Sequence, residues 1–404
     1  MTHIARQELA SRWDRCRTLL KQHLPQAEGI VVFSRLNIYY FTGTFAHGLF
    51  WLPLAGEPVL LCRRGCERAK LESPLKHIVP FYTYKDVEGI VREAGAPVGT
   101  TIAAEMNGLS WMLGNSFMKY LPGRKSLAGD RVISLTRAKK SAWELARLTL
   151  AGEGHRRCLV DLLPPLLRKG MSEFEIARVI SHLFFSQGHH GILRMESYGE
   201  EVYMGHIAMG ESGNFPSVFN GPLGLRGVHP AVPHMGSAHV HWREGMPLSI
   251  DNGFMHEGYQ TDKTQVYWLG ARNSIPAGVQ AAQDCAIEIQ ARIATDLKPG
   301  VRPADLWKAS LELAQQGGFA EGFMGLGGNK VSFVGHGIGL AIDEYPAIAK
   351  GFDLPLEEGT VLAIEPKIGI PGVGMVGVEN TFVVTPRGGK SLTGEEFGII
   401  CVTA

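Results

Sequence analysis

The stretch Ile250-Asp-Asn-Gly-Phe-Met-His-Glu-Gly-Tyr-Gln-Thr-Asp262, IDNGFMHEGYQTD, carries two aspartates inside runs that otherwise have the composition of buried strands. If the runs fold back on each other with the turn centred between His256 and Glu257, Asp251 and Asp262 become direct cross-strand partners. Their Cβ atoms then lie roughly 4.5–5.5 Å apart. Like charges at this distance repel, and burial among apolar neighbours strengthens the repulsion. The stretch therefore predicts a cation between the two carboxylates.

A second pair of acids repeats this pattern later in the chain. Glu365, in VLAIEPKIGI, and Glu379, in MVGVENTFVV, are symmetric about Gly372 in the turn-like PGVG, so they also would face each other across a hairpin. His336, in FVGHGIGL, adds an imidazole among glycines that allow close backbone approach. Four carboxylates and one histidine suffice for two divalent ions about 3.5–4 Å apart. A single acid in a strand is more often an edge residue or a salt-bridge partner, and the pattern alone leaves that alternative open.

The composition is that of an ordinary globular protein. The 404 residues suffice for two domains or one large α/β body, and 45% of them are hydrophobic and 20% charged. A net charge of +1 provides no overall field that would attract nucleic acid or an anionic membrane. No run reaches transmembrane length, no signal peptide is visible, and six cysteines are scattered as in a reduced protein. We therefore expect a cytoplasmic protein without membrane or nucleic-acid partners.

The hydrophobic pattern changes near residues 135–140. Before this point, short strand-like runs alternate with helical stretches, which predicts a small α/β domain over residues 1–136. After it, Ser141-x-x-Glu144 and Ser172-x-x-Glu175 predict two capped helices. Helices interleaved with hairpins, rather than strict βαβ units, indicate an α+β domain over residues 137–404. Its other predicted elements are two helices and a strand-rich segment: residues 276–297, 303–316 and 335–404.

These motifs, in this order, resemble the pita-bread metallopeptidase family, which includes methionine aminopeptidase, aminopeptidase P, prolidase and the metal-free relative creatinase. IDNGFMHEGYQTDKTQ resembles the family's Asp-x-Gly…Gly-Tyr-x-x-Asp-x-Thr-Arg segment, GHGIGL its Gly-His-Gly-Ile-Gly-Leu, IEP its Glu-Pro, and GVEN its Val-Glu-Asn/Asp. NIYYFTG, residues 37–43, is similar to the N-terminal domain signature of prolidase and creatinase, and LTRAKKSAWEL resembles the start of their catalytic domain. The resemblance covers nearly the whole chain. It implies a creatinase-like α/β N-terminal domain followed by a pita-bread catalytic domain.

The resemblance also implies which residues form the site. A bridging hydroxide attacks the substrate carbonyl, while His234, in a Pro-His pair, stabilises the oxyanion and Glu365 carries the proton to the leaving nitrogen. Manganese, cobalt, iron or zinc suits the ligand types, and Asp262 and Glu379 bridge the two ions. The five implied metal ligands are Asp251, Asp262, His336, Glu365 and Glu379. Three further histidines stay open as alternatives to His234: His229, His239 and His241.

Two positions depart from the family pattern. Asp343 replaces the histidine of the family's His-Glu-x-Pro, and Gln265 replaces the arginine after Asp-x-Thr. Both changes make the local charge more negative. We expect both side chains to contact substrate. The more negative charge predicts a substrate with a cationic or amino group near Asp343, or cleavage of a bond other than the Xaa-Pro imide.

The expected activity is dinuclear metal-dependent cleavage of short peptides by a homodimer, as in Xaa-Pro aminopeptidases and dipeptidases. Two alternatives stay open: a creatinase-like hydrolase of a small non-peptide amide or amidine, and a non-catalytic binding protein stabilised by metal. Glu365→Gln would separate them, because it abolishes either hydrolase and leaves a binding function intact.

Overall fold

The structure, a computed structural model, describes residues 3–107, 109–197 and 200–403. The chain divides into two compact units, Met1–Arg137 and Ala138–Ala404. No helix in the described ranges combines the length and the apolar character that crossing a bilayer requires.

The first unit is built on one mixed sheet. Its described elements are α1 (Arg6–His23), β1 (Gly29–Val32), α2 (Arg35–Thr42), β2 (His47–Pro53), β3 (Val59–Arg64), α3 (Cys66–Glu72), β4 (His77–Pro80), α4 (Val87–Glu93), β5 (Thr101–Ala104), α5 (Trp111–Lys119), β6 (Lys125–Ala128) and α6 (Asp130–Ala138). The strand order is β4-β3-β2-β1-β5-β6, and β2 is antiparallel to both of its neighbours. The NIYYFTG motif forms most of α2, where the Asn37 side chain donates to the buried carboxylate of Glu105.

The second unit is an α+β domain around one large sheet. Its described elements are α7 (Ala142–Arg156), α8 (Glu173–Ser186), β7 (Gly205–Met209), β8 (Pro247–His256), β9 (Tyr259–Leu269), α9 (Ala277–Asp296), α10 (Pro303–Gln316), β10 (Phe333–Gly337), β11 (Glu344–Ala349), β12 (Val361–Ile364), β13 (Lys367–Ile370), β14 (Gly374–Gly377), β15 (Glu379–Thr385), β16 (Gly388–Ser391) and β17 (Ile400–Val402). The main strand path is β11-β10-β12-β15-β9-β8-β7, and β13 pairs with β14.

The helices pack on one face of this sheet. Thr261 and Tyr267, on the same face of β9, contact His155 of α7 and the carbonyl of Leu159. On β15, the Asn380 side chain donates to Gln290 of α9. Two apolar clusters line this arrangement, one containing residues of α7 and α8 and the other residues of α9 and α10. Residues that alternate with these along the strands project from the opposite face.

The predicted helices of this unit are confirmed. Ser141 accepts a hydrogen bond from the Glu144 backbone N–H at 3.2 Å, and the Glu144 carboxylate accepts from the Ser141 N–H at 3.0 Å. Ser172 and Glu175 form the same reciprocal capping box at the start of α8. Because each box satisfies two backbone donors that lack partners inside the helix, it fixes where the helix begins.

The predicted register of the first carboxylate hairpin is wrong by two residues. In the structure His256 pairs with Tyr259, so the turn consists of Glu257 and Gly258. Both turn residues have positive φ, 46° and 87°, which is the conformation of a two-residue type I′ turn. Asp251 consequently pairs with Thr264 rather than with Asp262.

The second hairpin has the predicted symmetry about Gly372. Ile364 pairs with Asn380, and Lys367 pairs with Gly377. The two pairs belong to one continuous register, which sets Glu365 across from Glu379. The glutamates therefore lie as the sequence predicted, although Pro366 interrupts the strand between β12 and β13.

Candidate metal centre

Three adjacent strands bring carboxylates to one face of the sheet. Asp251 on β8 pairs with Thr264 on β9, and Thr264 pairs with Glu379 on β15. Direct partners project from the same face, so these three side chains form a row across the strands. Asp262 lies two residues before Thr264 and therefore projects from the same face. The corrected register makes the two aspartates diagonal neighbours instead of direct ones.

Two further predicted residues complete the cluster. His336 lies on β10, next to β12, and Glu365 follows β12 directly. His336 Nε2 lies 3.6 Å from Glu365 Oε1 and 3.8 Å from Glu379 Oε1. Both glutamates are buried, with side chains 5% and 2% exposed. The structure thus brings together all five side chains that the family resemblance implied as ligands.

The cluster contains two groups of potential ligands. Asp262, His336 and Glu379 offer atoms within 4.8 Å of one another, and so do Asp251, Glu365 and Glu379. The first group fits a divalent ion, because Asp262 Oδ1 is buried and no described residue donates to it. A buried carboxylate oxygen without a donor is costly, and a cation would relieve that cost. An imidazole with two carboxylates is a donor set that manganese, cobalt, iron and zinc all accept.

The second group already surrounds a cation from the chain itself. Lys367 Nζ lies 2.7 Å from Glu379 Oε2, 2.9 Å from Glu365 Oε2 and 3.1 Å from Asp251 Oδ2. The lysine side chain is 1% exposed. The Asp251, Glu365 and Glu379 group therefore does not fit a second divalent ion while Lys367 holds this position.

The protonation of the cluster follows from burial and proximity. Burial, with the neighbouring Asp251 charge, raises the pKa of Asp262 and of Glu379 well above their usual values. Burial opposes the charge of Lys367, yet the surrounding carboxylates raise its pKa well above the usual lysine value. For Asp251, burial is outweighed by the Lys367 and His206 neighbours, which lower its pKa. The ammonium is therefore charged at neutral pH.

Lys367 was not among the predicted site residues, although the sequence contains a signal for it. Lys367 follows Glu365 by two residues, and residues at that spacing share a face of an extended chain. It is also the single charged residue in the KIGI run after Pro366. A lysine in such a run, on the face of a predicted carboxylate cage, needs a buried partner.

His234 lies near the row of carboxylates, next to a second histidine that the sequence analysis had not selected. His206 on β7 pairs with Asp251, and its ring stacks on the His234 ring with centroids 6.1 Å apart. Burial lowers the pKa of His206 to about 4 and also lowers the pKa of His234. His234 Nδ1 and His206 Nε2 are buried without hydrogen-bond partners among the described residues.

The three alternative histidines do not share this environment. His229, His239 and His241 are exposed. His229 Nδ1 accepts from the Ala231 N–H, and His241 Nδ1 contacts the His239 carbonyl, so these rings take part in local turns. The geometry favours His234 among the candidates.

Asp343 is engaged by a neighbouring segment of the chain. Its Oδ1 accepts from the Glu196 N–H at 2.6 Å, and its Oδ2 accepts from the Ser197 hydroxyl at 3.3 Å. Burial raises the pKa of Asp343. These contacts fasten the segment around residues 194–197 to the loop after His336. The expected contact of Asp343 with a cationic substrate group stays a prediction.

Gln265 does not face the cluster, which corrects the expectation that it contacts substrate. It follows Thr264 directly, so strand alternation turns its side chain to the opposite face. Its Nε2 donates to the Gly398 carbonyl at 2.8 Å, and the residue is 2% exposed. Gln265 therefore fastens the segment before β17 to β9.

The comparisons with known proteins agree with this architecture. The sequence matches the Creatinase/Prolidase N-terminal domain over residues 12–139 and Metallopeptidase family M24 over residues 146–386. It is 25% identical over 369 residues to the Xaa-Pro dipeptidase of Pyrococcus furiosus, covering 91% of this chain and 93% of that protein. It is 28% identical over 381 residues to the probable dipeptidase PepE of Mycobacterium tuberculosis, covering 90% and 89%.

Among solved structures, dipeptidase PepE of Mycobacterium ulcerans matches with a TM-score of 0.78 at 23% identity over 100% of both chains. The Xaa-Pro dipeptidase of Bacillus anthracis matches with a TM-score of 0.78 at 20% identity, over 97% of this chain and 99% of that one. These structures confirm the predicted fold, a creatinase-like domain followed by a pita-bread domain. Since the second family match spans more than half of the residues, the chain belongs to metallopeptidase family M24.

Proposed function

We propose that this protein is a metal-dependent peptidase that hydrolyses short peptides, with Xaa-Pro dipeptides as its preferred substrates. The observation that carries the proposal is the buried group of Asp262, His336 and Glu379, in a chain of a metallopeptidase family. Relatives called Xaa-Pro dipeptidase and probable dipeptidase align with about nine-tenths of this chain, which supports short substrates.

A divalent ion held by this group would lower the pKa of a bound water and polarise the substrate carbonyl. We assign the proton transfer to Glu365, whose Oε1 lies 3.6 Å from His336 Nε2. The water oxygen forms a bond to the carbonyl carbon, the bond from that carbon to the amide nitrogen breaks, and Glu365 passes the proton of the water to the leaving nitrogen.

His234 is assigned to the carbonyl oxygen. Its buried Nδ1 has no partner among the described residues, and burial keeps the ring neutral by lowering its pKa. In the tautomer that carries the proton on Nδ1, the ring can donate to the oxygen as negative charge develops there. The interaction strengthens toward the transition state, which is the condition for accelerating the reaction.

The test is release of amino acids from Xaa-Pro and non-proline dipeptides and tripeptides. Metal-depleted protein is reloaded separately with manganese, cobalt and zinc. Loss of a residue that hydrogen-bonds to a metal ligand lowers activity by up to about 100-fold. Asp262 is itself a proposed ligand, so Asp262→Asn should lower kcat/KM by more than about 100-fold. Asp284→Asn is the matched control, because Asp284 is exposed on α9 and accepts from Gln280.

Two results would contradict the proposal. Equal cleavage by Asp262→Asn and wild type would remove the metal group from the reaction. Absence of cleavage across the panel, from protein that holds an ion, would direct the search to small amides and amidines. We also propose that the protein is a homodimer, as the family resemblance implies, and sedimentation of the same preparations tests this.

A further inference from the structure

We propose that Lys367 supplies a permanent cation at one of the two ion positions of the family pattern, so that this centre binds a single divalent ion. The inference rests on the proposed metal-dependent function and specifies how many ions that function uses. The remaining ion position is formed by Asp262, His336 and Glu379.

The geometry of the ammonium matches its environment. An ammonium group has three N–H donors. Glu379 and Glu365 accept hydrogen bonds from it at 2.7 and 2.9 Å, and Asp251 Oδ2 forms an ion pair with it at 3.1 Å. The buried ammonium therefore has a carboxylate oxygen on three sides, and such pairing is the condition under which a buried charge is tolerated.

A divalent ion would compete with Nζ for the same point. Carboxylate oxygens bind such ions at about 2.0–2.2 Å. The three oxygens that converge on Nζ would be the ligands of that ion, so both cations cannot occupy the position together. Mutual repulsion of the two cations adds to this exclusion.

Both glutamates direct one oxygen to Lys367 and the other toward His336. Glu379 directs Oε2 to Lys367 and Oε1 toward His336, at 2.7 and 3.8 Å. Glu365 also directs Oε2 to Lys367 and Oε1 toward His336, at 2.9 and 3.6 Å. Glu379 belongs to both groups of potential ligands, so it would lie between the ammonium and a divalent ion held by Asp262 and His336.

The position of Lys367 is supported by the strand opposite. Lys367 pairs with Gly377, and a Cβ on that glycine would lie 2.6 Å from Lys367 Cα and 3.1 Å from its Cγ. Gly377 thus leaves room for the lysine stem between β13 and β14. The stem is enclosed, and Nζ is directed toward the carboxylates.

The test is the number of manganese ions bound per chain, measured by elemental analysis after equilibrium dialysis. Wild type should bind one ion and show the electron paramagnetic resonance spectrum of isolated Mn²⁺. Lys367→Gly, which empties the position, should bind two ions and show the spectrum of a coupled pair. Lys263→Met is the matched control: Lys263 is also buried, but its Nζ contacts Asn380 on the other face, so one ion should remain.

The number of ions bound by the wild-type protein is enough to overturn the inference. Two coupled ions in wild type would contradict it and leave the proposed peptidase function intact. No bound ion in wild type would contradict both. If Lys367→Gly fails to fold, Lys367→Met keeps the test open. Methionine fills about the same volume without a charge, so the carboxylates then depend on the bound ion for a cationic partner. A chelator should therefore lower the unfolding temperature of Lys367→Met much more than that of wild type. An equal effect of chelator on both proteins would also overturn the inference.

Discussion

Thr264 and Gln265 are neighbours in the chain and serve different parts of the molecule. Thr264 Oγ1 donates to Glu379 Oε2 at 3.0 Å, on the face of the carboxylates. Gln265 Nε2 donates to the Gly398 carbonyl on the other face. The departure from the family pattern at Gln265 therefore concerns how the C-terminal segment is held, and strand alternation from Asp262 already indicates this in the sequence.

Substitution of these two neighbours should separate activity from stability. Thr264→Val removes a donor to a proposed ligand and should weaken metal affinity by about 10–100-fold. Gln265→Ala should lower the free energy of unfolding by about 1–2 kcal/mol through one lost buried hydrogen bond, with kcat/KM unchanged. Metal titration, denaturant unfolding and peptide kinetics measure the three quantities. A large rise in KM for Gln265→Ala would instead restore its expected contact with substrate.

How far the site could be predicted differs from residue to residue. The ligand positions follow from motifs whose spacing is set by strand pairing, so Asp251, Asp262, His336, Glu365 and Glu379 could be grouped from the sequence. Lys367 could be placed on their face, but its role could not be predicted. Whether a lysine turns inward depends on the enclosure of its stem, and that enclosure depends on Gly377, across the hairpin.

At the scale of elements, the β8–β9 hairpin sets the distances between the acids. Its turn is Glu257 and Gly258, both with positive φ. The predicted turn between His256 and Glu257 required the two aspartates to face each other, whereas the Gly that follows Glu257 supplies the conformation that a type I′ turn requires. Turn chemistry decided the register, and the acids adopted diagonal positions as a result.

Gly258→Ala should destabilise this hairpin. An alanine at a φ of 87° meets the steric cost of left-handed backbone, so we expect a loss of about 1–2 kcal/mol in the free energy of unfolding. Gly278→Ala is the opposite control: Gly278 lies in α9 with nothing within 4 Å of an added Cβ, and alanine there should stabilise by up to about 1 kcal/mol. Denaturant unfolding of both variants measures the difference. Equal effects would show that the turn conformation does not limit stability.

At the scale of the whole molecule, buried histidines make stability depend on pH. His155 and His189 both pack against Phe254. Burial is the main reason that the pKa of His155 lies well below the usual value and that the pKa of His189 is lowered to about 4. The unfolded chain takes up protons on these rings below about pH 6.5, and the folded chain does not. Stability is therefore fully present above about pH 6.5 and is lost as the pH falls toward 4.

Replacing one buried histidine should reduce this loss. Between about pH 6 and 5, His155→Phe should make the free energy of unfolding fall less steeply, by about 1 kcal/mol per pH unit. His182→Gln, at an exposed position of α8, should leave the slope unchanged. Urea unfolding across this range measures both slopes. Identical slopes for His155→Phe and wild type would mean that His155 takes up its proton in the folded chain.

Lys367 also affects the order in which the mature protein is assembled. In the folded chain, three of the cluster's carboxylates have a cationic partner that the chain itself supplies. The polypeptide can therefore complete its folding without waiting for an inorganic ion, and the ion can enter a finished pocket afterwards. In a cell, scarcity of the metal would then leave a pool of intact but idle protein, which becomes active when the metal returns, without new synthesis.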